Sequence, residues 1–186
     1  MSDFPFDIPR TTKTNPRPTA FKNSSDQRAL TIVSGNPSDV ANPGNTKGGA
    51  VTELSTSIEL PNANQNVFIS CRVVGELDIN SANFGMILHR SGGGLTSKFL
   101  RAPADGVRGR FLTPSVISIS DDDSSLDAMI ITFVDDTTTN AGTYIYTPVC
   151  VRSDGNNSTY HLNNTSGPGT SAGAEVALST MVLQVI

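Results

Sequence analysis

Tryptophan is absent from this chain, and aromatic residues make up only 6% of it. Hydrophobic residues reach 37%, below the usual share, while glycine, proline, serine, threonine and asparagine are abundant. That balance suits an all-β protein with many loops. No stretch of ten residues carries a convincing helical stripe, which removes helical bundles and α/β folds. No apolar run approaches the length needed to span a membrane. Residues 1–30 lack the apolar core of a signal peptide and are broken by Pro5, Pro9, Pro16 and Pro18.

Chemistry-bearing residues are equally sparse. Cys71 and Cys150 are the two cysteines, both in apolar strand candidates, and neither has a metal-ligand neighbour. They read as buried free thiols acting as small hydrophobes, with a disulfide as the alternative. His89 and His161 are the only histidines and read as surface or interface residues. No Gly-x-Ser-x-Gly elbow occurs, and no paired carboxylates stand in a recognisable setting. Gly92-Gly93-Gly94 lacks the Lys-Ser/Thr of a phosphate loop and reads as a flexible turn. Asp121-Asp122-Asp123 lacks the spacing of a calcium loop. It reads as an exposed acidic turn, with cation binding the alternative, and Asp135-Asp136 reads the same way. The expectation is therefore no catalytic residue, no metal and no cofactor: not an enzyme.

With 186 residues the chain suits one domain and an appendage. Its net charge of −4 is uneven. Residues 1–28 hold five basic and three acidic side chains, +2; the remainder holds eight and fourteen, −6. An arm at +2 is too weakly charged to indicate nucleic acid. Residues 1–50 read as an extended N-terminal arm and linker. Phe4, Phe6 and Ile8 alternate between prolines and would point to one side of an extended strand. Such a segment cannot build its own core and gains order against another surface. Ala29 to Val33 is a short strand candidate, and residues 34–50 are a loop rich in turn signals.

Residues 51–186 read as the body. Strand candidates are Val51 to Leu60, Asn66 to Val74, Phe84 to Arg90 and Val116 to Ile119, with weaker ones at Ser97 to Arg101 and Arg108 to Thr113. The last sixty residues add 127–134, 143–151 and 174–186. The total is eight or nine, spaced as in a sandwich. One basic cluster lies on the body: Arg90, Lys98, Arg101, Arg108 and Arg110 against Asp105 alone. It suits either an acidic partner surface or a solvated loop. Phe99 and Phe111 are too few for a single-strand stacking platform.

Four segments carry a resemblance to a known family. They are Ala141-Gly142-Thr143-Tyr144-Ile145-Tyr146, then Val149 to Arg152, then Ser158 to Thr165 with Tyr160-His161-Leu162-Asn163-Asn164-Thr165, and finally Ser179-Thr180-Met181-Val182-Leu183 to Ile186. Together they resemble the C-terminal jelly-roll module of tailed-phage structural proteins, especially those of cyanophages, over about residues 126–186. In that module a Tyr-x-Leu-Asn-x-Thr turn precedes the last strand. His161 and Asn164 stand where larger or basic residues are expected, so the surface chemistry does not carry over. The resemblance implies a jelly-roll-like antiparallel β-sandwich with an extended arm, assembled as a homotrimer. It implies a virion structural protein, made in the host cytoplasm and carried on the particle exterior. The first expectation is a capsid decoration (cement) protein whose arm binds the major capsid protein through Phe4, Phe6, Ile8 and Phe21, with Arg10, Lys13, Arg17 and Lys22 as basic contacts. A short head or tail fibre binding the host surface is the alternative, and a glycan-active enzyme the remote one. Neither nucleic acid nor membrane is an expected partner.

Overall fold

The computed structural model describes residues 17–35, 47–78, 83–103, 110–113, 126–153, 155–165 and 177–186. The chain is an all-β antiparallel sandwich of the jelly-roll kind. Its strands are β1 (Thr19–Ser24), β2 (Arg28–Ile32), β3 (Gly49–Ala50), β4 (Thr56–Leu60), β5 (Val67–Leu77) and β6 (Phe84–Gly92), followed by β7 (Lys98–Leu100), β8 (Asp127–Asp135), β9 (Gly142–Arg152), β10 (Ser158–Leu162) and β11 (Ser179–Val185).

Each sheet is built around one long strand that changes partners along its length. In the six-stranded sheet β8 covers one edge of β5. The other edge is divided: residues 67–72 pair with β11 and residues 75–77 with β10. Beyond β11 lies β1, and beyond β10 lies β2. In the five-stranded sheet β9 pairs with β6 on one side, and β7 lies beyond β6. Its other side is shared by β4 and β3. The strand Val51 to Leu60 is therefore shorter than its alternation suggests. A 3-10 turn at Thr52–Leu54 fills the gap between β3 and β4.

That gap explains a proline inside a central strand. Pro148 pairs opposite Leu88, and its carbonyl accepts from Val51 N–H at 2.9 Å. The nitrogen of a strand residue points to the same side as its carbonyl. The missing donor thus faces the break in the ladder, where a proline costs least.

Period-2 alternation places Val67, Ile69, Cys71 and Val73 of β5 inward. They meet Met129 and Ile131 of β8 and Met181, Leu183 and Val185 of β11 on the same sheet. Phe84, Met86 and Leu88 of β6 and Tyr144, Tyr146 and Cys150 of β9 close the core from the other sheet. Each fully buried large side chain contributes about 1.5–3 kcal/mol. Both cysteines are buried and free.

The division at residue 50 does not hold for the described residues. β1 and β2 are integral strands, because β11 and β10 supply their backbone partners. Asn163 locks this corner. It takes a left-handed φ of +55°, which asparagine tolerates. Its amide donates to the carbonyls of Ser24 and Asp26, both at 3.0 Å. Its side-chain oxygen accepts from Ser179 Oγ at 2.6 Å. The expected turn around Tyr160 is likewise strand β10, and only Asn163 and its neighbours turn.

Gly75 sits where β5 passes from β11 to β10. A Cβ there would overlap the His161 carbonyl oxygen and the Tyr160 ring. Replacing Gly75 with alanine is expected to cost about 1–3 kcal/mol through forced displacement of β10. A lowered urea midpoint with an unchanged slope would show it.

Candidate functional site

The sequence-derived site residues separate in space. Phe4, Phe6, Ile8, Arg10, Lys13 and Arg108 lie outside the described residues, as do Asp121 to Asp123 and the Val116 to Ile119 candidate. Arg17 precedes β1, and Phe21 and Lys22 belong to it. Phe21 is 62% exposed. Lys22 Nζ donates to the Ser55 carbonyl at 3.1 Å, tying β1 to the opposite sheet.

The basic cluster is not gathered into one partner-facing patch. Arg90 is buried in the interior. Arg110 Nε donates to the Ala102 carbonyl at 2.8 Å. Lys98 begins β7 half-buried, and Arg101 follows it, also half-buried. Strand β6 sends residue 90 inward because it alternates in step with Phe84, Met86 and Leu88, and Gly92 and Gly93 let the following turn close over Tyr144. All three glycines there take left-handed φ, at +94°, +62° and +68°. The turn is packed rather than loose: Asn140 Nδ2 holds the Gly93 carbonyl at 2.9 Å.

Arg90 meets Asp135, which is fully buried rather than part of an exposed acidic turn. The guanidinium donates to Asp135 Oδ2 at 3.2 Å and to Thr137 Oγ1 at 2.8 Å. Tyr146 OH donates to the same Oδ2 at 3.0 Å, and Thr137 N–H to Oδ1 at 3.0 Å. The guanidinium also lies 5.8 Å from the Tyr144 ring centroid, a cation–π distance. This network joins β8 of one sheet to β6 and β9 of the other. Burial, and then the Asp135 carboxylate, push the Tyr146 phenol well above its ordinary pKa. Such a tyrosine stays a donor at neutral pH, and the cluster pins one sheet to the other. His89 is also buried, not on the surface, with its ring edge-on to Phe99 at 5.0 Å. His161 lies in β10, half-buried.

Exposed apolar side chains also occur on the outer face of the six-stranded sheet. The registers place three rows of four residues side by side across β1, β11, β5 and β8. They are Thr19, Gln184, Phe68 and Val134; then Phe21, Val182, Ser70 and Thr132; then Asn23, Thr180, Arg72 and Ile130. Ile130 is 56% exposed and Val134 40%. Arg72 is the one charged residue among the twelve. The outer face of the other sheet differs. There Ala50, Ile87, Phe99, Val149 and Val151 form a second small core, covered by Phe111.

Sequence reasoning found Phe21 but missed Phe68, Ile130, Val134 and Val182. The signal was present as unbroken apolar runs, Met129-Ile130-Ile131 and Met181-Val182-Leu183. An antiparallel strand with one wet face should alternate.

No protein-family profile matches this chain, and no curated protein matches it. Solved structures of similar shape include Eiger, a TNF from S. frugiperda, at 11% identity and a TM-score of 0.39, covering 92% of this chain and 94% of that one. The infectious bursal disease virus Gx strain gives 14% identity and a TM-score of 0.40, covering 91% of this chain and 38% of the viral one. A mutant VP2 protein of the same virus, in T=1 particles, gives 15% and 0.32, with coverage of 87% and 36%. The chain thus spans under two-fifths of those viral chains. Likeness at this level carries nothing about partners or activity.

Proposed function

We propose that this chain is a virion structural protein, a capsid decoration protein that binds the major capsid protein through its N-terminal segment. The observation that carries the reading is where that segment is anchored. Arg17 and Pro18 lead directly into β1, at the border of the sandwich, and Val185 N–H bonds the Pro18 carbonyl at 3.0 Å. Phe21, on the same strand, is exposed. Residues 1–16, with Phe4, Phe6 and Ile8 in alternation and Arg10 and Lys13 beyond them, start from a firmly held point. Sixteen extended residues span at most about 55 Å. That length suits a tether reaching across a neighbouring subunit while the sandwich stands on the particle exterior. Repetition over a lattice multiplies a modest anchor. The reading assigns no catalytic residue and no cofactor.

The test follows the revised boundary. Deleting residues 1–28 would strip β1 from the sheet, so residues 2–16 are the segment to remove. The truncated chain is expected to keep its thermal transition and lose binding to particles lacking the protein. Undiminished binding would overturn the tether. Binding of the truncated chain to host cells would favour a fibre, and turnover of a polysaccharide would favour an enzyme.

A further inference from the structure

We infer that the loops at the end of the sandwich where the N-terminal segment leaves form a second docking surface, seated on the same protein that the segment grips. The inference rests on the tether reading for its partner and adds a contact made by the folded body.

The registers bring three loops to that end. Val185 pairs with Val67 and Val67 with Asp135, so β11 and β8 finish where β5 starts. β1 starts there too, with Thr19 opposite Gln184. In the other sheet Leu60 lies opposite Gly142 and Gly92 opposite Tyr144, so β4 and β6 finish where β9 starts. Loops 61–66 and 136–142 join the two sheets at this end, and the turn of residues 92–97 lies beside them. Pro18, where the segment leaves, therefore shares its end with three loops that are described in full.

Hydrogen bonds tie these loops to one another and to the exit point. Val185 N–H reaches the Pro18 carbonyl, and the next residue, Ile186, donates its N–H to the Asn66 carbonyl at 3.0 Å. Thr138 Oγ1 donates to the Gln65 carbonyl, joining loops 61–66 and 136–142. Asn140 Nδ2 joins 136–142 to the Gly93 carbonyl, and Tyr144 OH donates to the Asn140 carbonyl at 2.9 Å. The Arg90–Asp135 pin holds the base of the same loop through Thr137. A surface fixed before contact loses little conformational entropy on binding.

The chemistry of the loops narrows the partner. Ala63, Asn64, Thr96, Thr139, Asn140 and Ala141 are exposed on them. Asp136 is the one charged residue among residues 61–66, 92–97 and 136–142, and none of them is aromatic. Phosphates would meet no cation there, and bases no stacking ring. A strongly charged protein would find a single carboxylate to pair with. The surface suits an uncharged polar protein face, met through amides, hydroxyls and backbone. Contacts of that kind contribute little each. The segment raises their effective concentration by holding this end against whatever it grips. The opposite end, where Phe84 meets Arg152 and Ser158 meets Ile32, points outward.

Binding of the full chain to particles lacking the protein tests this, with Ala63→Glu and Thr139→Glu as loop variants. Each is expected to weaken binding about tenfold, because it buries a carboxylate without a counter-charge. Asn156→Glu, at an exposed position of the opposite end, is the control and should bind as the wild type does. Circular dichroism and melting temperatures confirm that each variant is folded. Hydrogen exchange supplies a readout without substitution: amides of 61–66 and 136–142 should gain protection on the particle, and those of 155–157 should not. Loop variants that bind as tightly as the wild type overturn the inference, as does unchanged exchange in both loops. An equal loss in Asn156→Glu overturns it too, since added charge anywhere would then suffice. So does loss of attachment to host cells by the loop variants with particle binding unchanged, which would assign these loops to a receptor. Deletion of residues 2–16 separates the two readings. If it abolishes binding while the loop variants bind normally, the tether stands and the loop contact falls. If it leaves binding intact while the loop variants lose it, the loop contact stands and the tether falls. A wild type that binds no particle overturns both.

Discussion

Replacing Arg90 with methionine is expected to destabilise the fold by about 3–5 kcal/mol, the cost of leaving a buried carboxylate without its cation. Asp135 is fully buried, and methionine fills the volume of the arginine stem without replacing its hydrogen bonds. Tyr146 OH and Thr137 N–H would still donate to Asp135, but neither carries positive charge. At roughly 2–4 °C per kcal/mol for a chain of this size, the melting temperature falls by about 10 °C. The double variant Arg90→Met with Asp135→Leu is expected to recover most of that loss. An apolar pair of similar volume removes the desolvation cost of both charges. Calorimetry on the two variants decides it. Equal stability of the single variant and the wild type would mean that the pair contributes nothing to holding the sheets together.

Stability is also expected to fall steeply above pH 9. Burial pushes the Cys71 thiol up to about 12, and Cys150 is pushed up further, by burial and then by Cys71. Burial likewise raises Tyr146 and Tyr160. All four are held neutral in the folded chain and ionise more readily once unfolded. A raised folded pKa contributes stability that is complete below the unfolded pKa. It is lost as pH climbs towards the folded one. For the thiols that window opens near 9 and for the tyrosines near 10. At pH 10.5 each thiol withdraws about 2 kcal/mol, at about 1.4 kcal/mol per pH unit. Urea midpoints at pH 8 and pH 10.5 measure the sum. Replacing both cysteines with alanine should remove most of the difference between the two pH values while lowering stability at pH 8. A wild-type midpoint independent of pH over this range would mean that the thiols and phenols are not desolvated.

Much of the body was legible from period-2 alternation. The core sides of β5 and β6 follow directly from it, as does the burial of Cys71; that both cysteines are free came from the structure. What alternation does not report is what covers the other face. Ile87 and Ile130 look alike in sequence. One lies under Phe111 and the other is exposed, because among the described residues the 110–113 segment folds across one sheet only. Arg90 was read as surface charge because charged residues are seldom buried. Its partner Asp135 is forty-five positions away, beyond the reach of any local pattern.

The strand character of the described residues and their inward-facing side chains were set by the sequence alone, since both depend on neighbours one and two positions apart. The tertiary structure decided that residues 19–32 belong to the sheet, that Arg90 and Asp135 form an internal pin, and that the Phe111 segment covers one outer face. Those outcomes depend on pairing between distant segments. Backbone hydrogen bonds from β10 and β11 hold residues 19–32 in the sheet, where only Ala29 to Val33 read as a strand from its own residues.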